Sequence, residues 1–384
     1  MTIANDVTRH LADLIAFPTI SAVSNLDLLD YVEREAAPFG ARFKRFPNAE
    51  GDKANLLVTV GPEVKGGVVF SGHTDVVPTQ GQSWTGDPWT LRNNNGRLIG
   101  RGATDMKGFL ACCLTALPEL SSRPLKAPVH LAFSYDEEVG CTGVGAMADW
   151  IGQSHMKPSL AVIGEATSMD MISAHKGGLI GWVRIKGKPG HSSQPDRYVN
   201  AVMVAGDLIA EINRIRAEMR SGPQFEGLDP PYSTIQVNQI KGGLHGNIVA
   251  EACDFFWEMR IIPGESDLDV LARMERFAKD VLEPAMKAVD PETGIVFEVQ
   301  ARIPGLKPNG DDALDAELLK CLGRTAPRYV SYGTEAGIFQ NAGVPSVVIG
   351  PGDIADAHQP DESVEIAELE RCVAFLHSLG NRCC

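Results

Sequence analysis

Five stretches of the chain carry acids or histidines that could share a metal: His73-Thr74-Asp75, Asp105, Asp136-Glu137-Glu138, Glu165 and His358. Histidine with carboxylates is a donor set suited to zinc and tolerant of manganese or cobalt. Two divalent cations about 3.5–4 Å apart need a bridging carboxylate and further ligands on each ion. In an extended segment residues i and i+2 share a side, so Asp75 is expected to accept the hydrogen bond from the His73 ring nitrogen that faces away from the metal. Glu137 and Glu138 are adjacent and should point different ways, one towards a metal and the other towards substrate as general base. Asp136 is left as a structural acid. Bound cations would offset the repulsion among these carboxylates. Each residue alone has a plain structural reading: a loop histidine, a helix N-cap for Asp105 or Glu165, solvated loop acids for Glu137 and Glu138. Those readings would have to hold at every position at once.

What could gather such residues is their place after strands. GVVFSG (67–72) leads into His73, VHLAFSY (129–135) into Asp136, LAVIG (160–164) into Glu165, and PSVVIG (345–350) into GPGDIADAHQP with His358. An open sheet presents its sites at strand carboxyl ends. Asp105 lies on a glycine-flanked loop, GRGATDMKG (100–108). NLLVTV (55–60) reads as a further strand, and GFLACCLTALPEL (108–120) as a helix. Several of the runs are apolar on both faces, as strands covered on each side would be. A first helix carries Val7, Leu11, Leu14 and Ile15 on one face, with Asp6 as its expected N-cap and a stop near Pro18. The expected class is a layered α/β domain on a largely parallel sheet.

The middle of the chain has another grammar. Strand GLIGWVRIKG (178–187) precedes helix NAVMVAGDLIAEINRIRAEM (200–219), strands YSTIQVNQI (232–240) and VAEACDFFWEMRII (249–262), helix LDVLARMERFAKDVLEPAMKAV (268–289) and strand GIVFEVQ (294–300). The order β-α-β-β-α-β is that of a ferredoxin-like α+β sandwich. Gly177 and Gly178 open it and Pro304-Gly305 closes it. The expected organisation is a catalytic domain in two parts, 1–177 and 303–384, with an inserted domain at 178–302.

The bulk composition narrows the function. A formal charge of −14, from 35 Lys plus Arg against 49 Asp plus Glu, argues against nucleic-acid and anionic-membrane partners. No strand is followed by GxGxxG, which argues against a dinucleotide-dependent oxidoreductase. The eight cysteines show no C-x-x-C pair and receive no role. With no basic-then-apolar leader and no long apolar run, the expected compartment is the cytoplasm.

The motifs SGHTDVVP, GRGATDMKG, YDEEVG, VIGEATS, HKGG, GHSSQP, GGLHGNIV, MRIIPG and GPGDIADAHQPDE together resemble the M20 family of dinuclear zinc amidohydrolases and peptidases. The likeness runs along nearly the whole chain. It implies a zinc-peptidase-like catalytic domain with an inserted lid or dimerisation domain. It also implies that His73 and Glu165 hold one metal, that Glu138 and His358 hold the other, and that Asp105 bridges them. By the same likeness Glu137 is the general base and acid, Asp75 supports His73, and His191 in GHSS stabilises the oxyanion. Asn247 and Arg260 fall where the family binds the substrate carboxylate and neighbouring oxygens. Glu335 in SYGTEAGIF is a candidate partner for a cationic substrate side chain. IGEATS, AHKG, GHSSQPDRYVNA, GTEA and AHQPDE are most like the acetylornithine deacetylase branch. The expected reaction is therefore hydrolysis of an N-acyl amino acid, N-acetyl-L-ornithine above all. Succinyl-diaminopimelate desuccinylase and an M20 carboxypeptidase or dipeptidase are the alternatives. Closure of the inserted domain over the site and a homodimer formed through it are further expectations. A metal-binding member without catalysis is the reading of another class, and the presence of Glu137 speaks against it.

Overall fold

The computed structural model describes residues 2–384. The chain divides into two compact units. One takes the chain up to Ala174, then Leu306–Tyr329 and Thr334–Cys384; the other takes His175–Gly305 and Val330–Gly333. Along the chain run β1 (Arg42–Pro47), β2 (Ala54–Val60), β3 (Val68–His73), β4 (Arg92–Asn94), β5 (Arg97–Ile99), β6 (Val129–Ser134), β7 (Leu160–Ile163) and β8 (Ile172–His175). Then come β9 (Gly177–Lys186), β10 (Gly190–His191), β11 (Thr234–Gly242), β12 (Ile248–Val249), β13 (Ala252–Ile261) and β14 (Gly294–Ile303). The last are β15 (Arg328–Val330), β16 (Ser346–Val348) and β17 (Ser363–Glu365).

The first unit is built on an eight-stranded sheet in the order β1-β2-β6-β3-β7-β16-β8-β15. It is mixed rather than largely parallel. The central block β6-β3-β7-β16 is parallel, whereas β1–β2, β2–β6 and β16–β8 are antiparallel. Every residue of β2, β3, β6 and β7 is buried, which is why these stretches read as unbroken apolar runs. Alternate residues such as Val68, Phe70, Leu160 and Val162 join one core with Leu11 and Leu14 of α1 (Ile3–Ile15). α2 (Leu26–Ala36) adds Leu28 and Leu29 to it, α3 (Lys107–Ser122) adds Phe109 and Cys113, and the helix Ile366–Gly380 adds Leu376. Val69, Ala161 and Ile163, which alternate with them, are just as buried, so the other face of the sheet is covered too.

The N-terminal helix starts earlier than Asp6. Thr2 is its N-cap, with its hydroxyl oxygen accepting the Asn5 amide at 3.3 Å. Threonine caps nearly as well as aspartate, and Asp6 in the first turn still favours the positive helix end.

In the second unit four antiparallel strands run in the order β11-β13-β9-β14. Cys253, Phe255, Trp257, Met259 and Ile261 alternate along β13 into a core with Leu208 and Ile212 of a long helix, Ala201–Ser221. The helix expected over 268–289 is divided. α-Helical segments Asp267–Phe277 and Glu283–Val289 flank a π-helical stretch, Ala278–Leu282. Pro284 explains the division, since it has no N–H for the regular ladder. Among the described residues, no helix is long and apolar enough to cross a membrane. The cysteines are free.

Candidate metal centre

His73 ends β3, and the parallel register sets it beside Ser134, the end of β6. Glu165 comes two residues after the end of β7. Its predecessor Gly164 has no room for a side chain, because a Cβ there would lie 2.0 Å from the Phe109 ring of α3. The glycine thus lets the loop with Glu165 sit directly on α3. Three of the four parallel neighbours in the centre of the sheet therefore deliver a chemical group to one edge, as open α/β sheets do.

Asp105 lies between the two histidines. Its Oδ1 is 3.0 Å from His73 Nε2 and its Oδ2 is 3.2 Å from His358 Nε2. His358 Nε2 is also 3.0 Å from Glu138 Oε2, and His73 Nε2 is 3.8 Å from Glu165 Oε1. Donor atoms of His73, Glu137 and Glu165 fall within 4.8 Å of one another, and so do those of His73, Asp105 and Glu138. His358 adopts a left-handed backbone, φ 61°, unusual for a residue with a side chain and common where geometry serves a site.

The electrostatics of the cluster are those of a place that needs positive charge. Burial pushes Glu137 up to about 8, with Glu138, Asp105 and Glu335 adding and His73 opposing. Burial also raises Glu138, and carries Glu165 well above the carboxylate range, Asp105 adding to both. Hydrogen bonds to Asp105 and Glu138 raise His358 to about 10. Burial alone would lower His73, yet Asp105, Glu165 and Asp75 hold it well above its ordinary value. Asp105 is itself held low against its burial by the two histidines. Without cations the cluster collects protons instead, and the donor types fit borderline divalent ions such as zinc. The residues present fit a pair of metal ions: two imidazoles, a carboxylate with one oxygen facing each, and further carboxylates within reach of both.

Asp75 does something other than expected. The His73 Nδ1 partner is the Asp75 backbone carbonyl at 2.9 Å, while the nearest carboxylate oxygen is 3.7 Å away, beyond hydrogen-bond range. The carboxylate instead accepts the amides of Glu137 at 3.1 Å and Glu138 at 3.2 Å, together with the Ser21 hydroxyl at 2.7 Å. A carbonyl serves as well as a carboxylate to fix the imidazole tautomer. Asp136 pairs with Lys53 at 2.7 Å, as a structural acid would.

Glu335 is not presented to solvent. It is 1% exposed at the start of the short helix Ala336–Asn341. Burial raises it to about 7, with the Ser134 and Ser71 hydroxyls and His73 working the other way. It lies in the first unit, close enough to Glu137 for the two carboxylates to repel.

His191, Asn247 and Arg260 belong to the second unit. His191 ends β10 and pairs with Ile248 of β12, while the Ser192 amide donates to the Asn247 carbonyl, so His191 and Asn247 adjoin on one small ribbon. Both side chains are exposed, and His191 Nδ1 lies 2.7 Å from Ser193 Oγ. Arg260 on β13 donates to Glu258 at 2.6 Å.

Glu362 is a residue the motif reading passed over. It is 1% exposed, pairs with the fully buried Arg101 at 2.6 Å, and accepts the amides of Gly102, Thr104 and Asp105 at 3.1, 2.9 and 2.9 Å. It therefore shapes the loop that presents Asp105. The signal was available as the last acid of AHQPDE. Ser21, beneath Asp75, left no such signal.

The chain matches the profile described as Peptidase family M20/M25/M40 over residues 69–382. It is 35% identical over 388 residues to an acetylornithine deacetylase of Myxococcus xanthus, covering 97% of each chain. It is 35% identical over 367 residues to an acetylornithine deacetylase of Proteus mirabilis (strain HI4320), covering 93% of this chain and 91% of that one. Among solved structures, the Bacillus subtilis protein YXEP, described as a dinuclear metal binding peptidase from the M20 family, has the same fold. Its TM-score is 0.69 at 14% identity, over 98% of this chain and 97% of that one. The chain belongs to peptidase family M20/M25/M40. It is accordingly a hydrolase.

Proposed function

We propose that the protein hydrolyses the amide bond of an N-acyl amino acid, with Nα-acetyl-L-ornithine as the preferred substrate and L-ornithine and acetate as products. The observation that carries the hydrolytic reading is Asp105, with one oxygen facing His73 and the other facing His358. The substrate follows from the two acetylornithine deacetylase relatives and from GTEA and AHQPDE. In this reading His73 and Glu165 hold one zinc, Glu138 and His358 the other, and Asp105 bridges. The cations supply Lewis acidity, lowering the pKa of water and polarising the acyl carbonyl.

The rest is done by the chain. Glu137 takes the proton from the attacking water and returns it to the leaving amine nitrogen. Asp75 holds the backbone from which Glu137 and Glu138 project. His191 donates to the oxyanion, and Asn247 and Arg260 bind the substrate carboxylate. For Arg260 that means exchanging Glu258 for substrate. Pairing of two copies through the inserted segment belongs to the same reading; sedimentation at micromolar concentration tests it, and a monomer refutes it.

The test of function is turnover of Nα-acetyl-L-ornithine, N-succinyl-L,L-diaminopimelate and a dipeptide by zinc-loaded, chelator-stripped and Glu137→Gln protein. Metal-dependent hydrolysis of acetylornithine, reduced roughly 10²–10⁴-fold in the variant, is expected. Preference for the succinyl compound or the dipeptide would keep the machinery and discard the substrate. Full activity of Glu137→Gln would discard the general base.

A further inference from the structure

The loop that carries the two glutamates closes on itself. The Glu137 carbonyl accepts the amides of both Gly140 and Cys141 at 2.8 Å, and Cys141 takes a left-handed backbone, φ 56°. That turn brings the Cys141 side chain back onto the Glu137 side chain, with Sγ 3.2 Å from Oε1. The thiol is 4% exposed and forms no disulfide. Glu138, Asp105 and Glu335 repel the Glu137 carboxylate and His73 attracts it through charge, while the Cys141 thiol lies within hydrogen-bond distance of one of its oxygens, Oε1.

We infer that Cys141 is a positioning residue for the general base, its S–H donating to Glu137 Oε1 and fixing the plane of that carboxylate for proton transfer. The inference rests on Glu137 being the base. A thiol is a weak donor, but in a dry interior a weak hydrogen bond to a carboxylate is strengthened. Burial, together with Glu137 and Glu335, pushes the thiol well above its ordinary pKa, which keeps the hydrogen on sulfur. Proton transfer depends steeply on heavy-atom geometry, so a carboxylate free to rotate spends less time aligned with the attacking water.

Three substitutions separate this role from a packing role. Cys141→Ala removes the donor. Cys141→Ser keeps a donor on a shorter bond, with the same left-handed backbone cost as alanine. Cys141→Gly removes the donor while relieving that cost, which offsets part of the burial and chain entropy it loses, and its Tm is measured beside its kcat. With Nα-acetyl-L-ornithine the expectation is a fall in kcat of about tenfold for the alanine and glycine variants. KM and bound metal should be unchanged, and Cys141→Ser should stay within about threefold of the parent. An activity-independent reading comes from the S–H stretch in infrared difference spectra of parent minus Cys141→Ser. It should lie at a hydrogen-bonded frequency in the parent and shift upward in a Glu137→Ala background. A parental kcat for Cys141→Ala or Cys141→Gly, beside an inactive Glu137→Gln, overturns the positioning role and leaves the base assignment intact. An S–H stretch indifferent to Glu137→Ala overturns it as well, whatever the substrate. An active Glu137→Gln overturns the base assignment, and this inference with it.

Discussion

Asp75 holds Glu137 by the backbone: its Oδ1 accepts the Glu137 amide at 3.1 Å, and its Oδ2 accepts the next amide, Glu138, at 3.2 Å. One buried carboxylate thus fixes the segment that supplies both the proposed base and a proposed ligand, while His73 is oriented by a carbonyl.

Asp75→Asn should therefore damage the glutamate loop and spare His73. Asparagine offers one acceptor where two amides and the Ser21 hydroxyl converge, and its NH₂ faces donors. Leaving a buried amide unpaired costs about 1–3 kcal/mol. We expect metal affinity and kcat to fall about 10–100-fold, the range for lost support of a ligand set. Metal titration and steady-state kinetics decide it; parental values for both would show that the loop holds without the clamp.

The two-sided contact of Asp105 predicts a difference in stoichiometry. Asp105→Ala should lose the shared ligand and weaken both metals, whereas Glu165→Ala should weaken one. Elemental analysis after dialysis against limiting zinc distinguishes them. Equal loss in the two variants would remove Asp105 from the bridging position. Stripping the parent with chelator should also lower Tm, because a cation that binds only the folded chain stabilises it by mass action, and zinc should restore it.

Glu362→Gln is expected to be among the most damaging single changes away from the metal. It leaves Arg101 charged and buried and weakens the acceptor for three amides. Breaking a buried pair by removing one partner costs about 3–5 kcal/mol. Urea denaturation reads the loss, and a change below about 1 kcal/mol, ordinary for a surface pair, would contradict it.

Acid sensitivity should trace partly to His130, buried in β6 with Nδ1 2.8 Å from Thr59 Oγ1. Burial pushes its pKa down to about 4, against roughly 6.5 in an unfolded chain. Between those values the unfolded chain binds more protons, so the contribution to stability is whole above about pH 6.5 and declines as pH falls towards 4. Each unit is worth about 1.4 kcal/mol. Denaturation of parent and His130→Gln at pH 7.5 and pH 5 should show the parent losing more over that interval; parallel losses would count against it.

The strands that carry the site were legible because burial on both faces writes an unbroken apolar run, and because a histidine or acid follows each. His73, Glu165 and His358 were readable by position and residue type together. Asp75 was legible as a participant but not in its role, since carboxylate and carbonyl of one residue differ by less than an ångström in reach. Glu362 and Ser21 act through contacts with distant parts of the chain, and no local pattern encodes those. The π-helical stretch at Ala278–Leu282 was announced only by Pro284, which a periodicity of apolar residues overlooks.

Glu138 and His358 stand 220 residues apart in the chain. At a synthesis rate of roughly 5–20 residues per second, the interval between them on the ribosome is about 10–45 s. During that time the second unit has emerged almost whole, with its own core. The first unit has most of its acids but lacks His358, Glu362 and strand β16, which completes the parallel block. Birth order therefore inverts sequence order. The interior of this stretch can mature first, and the unit that flanks it on both sides is finished only after His358 has been made.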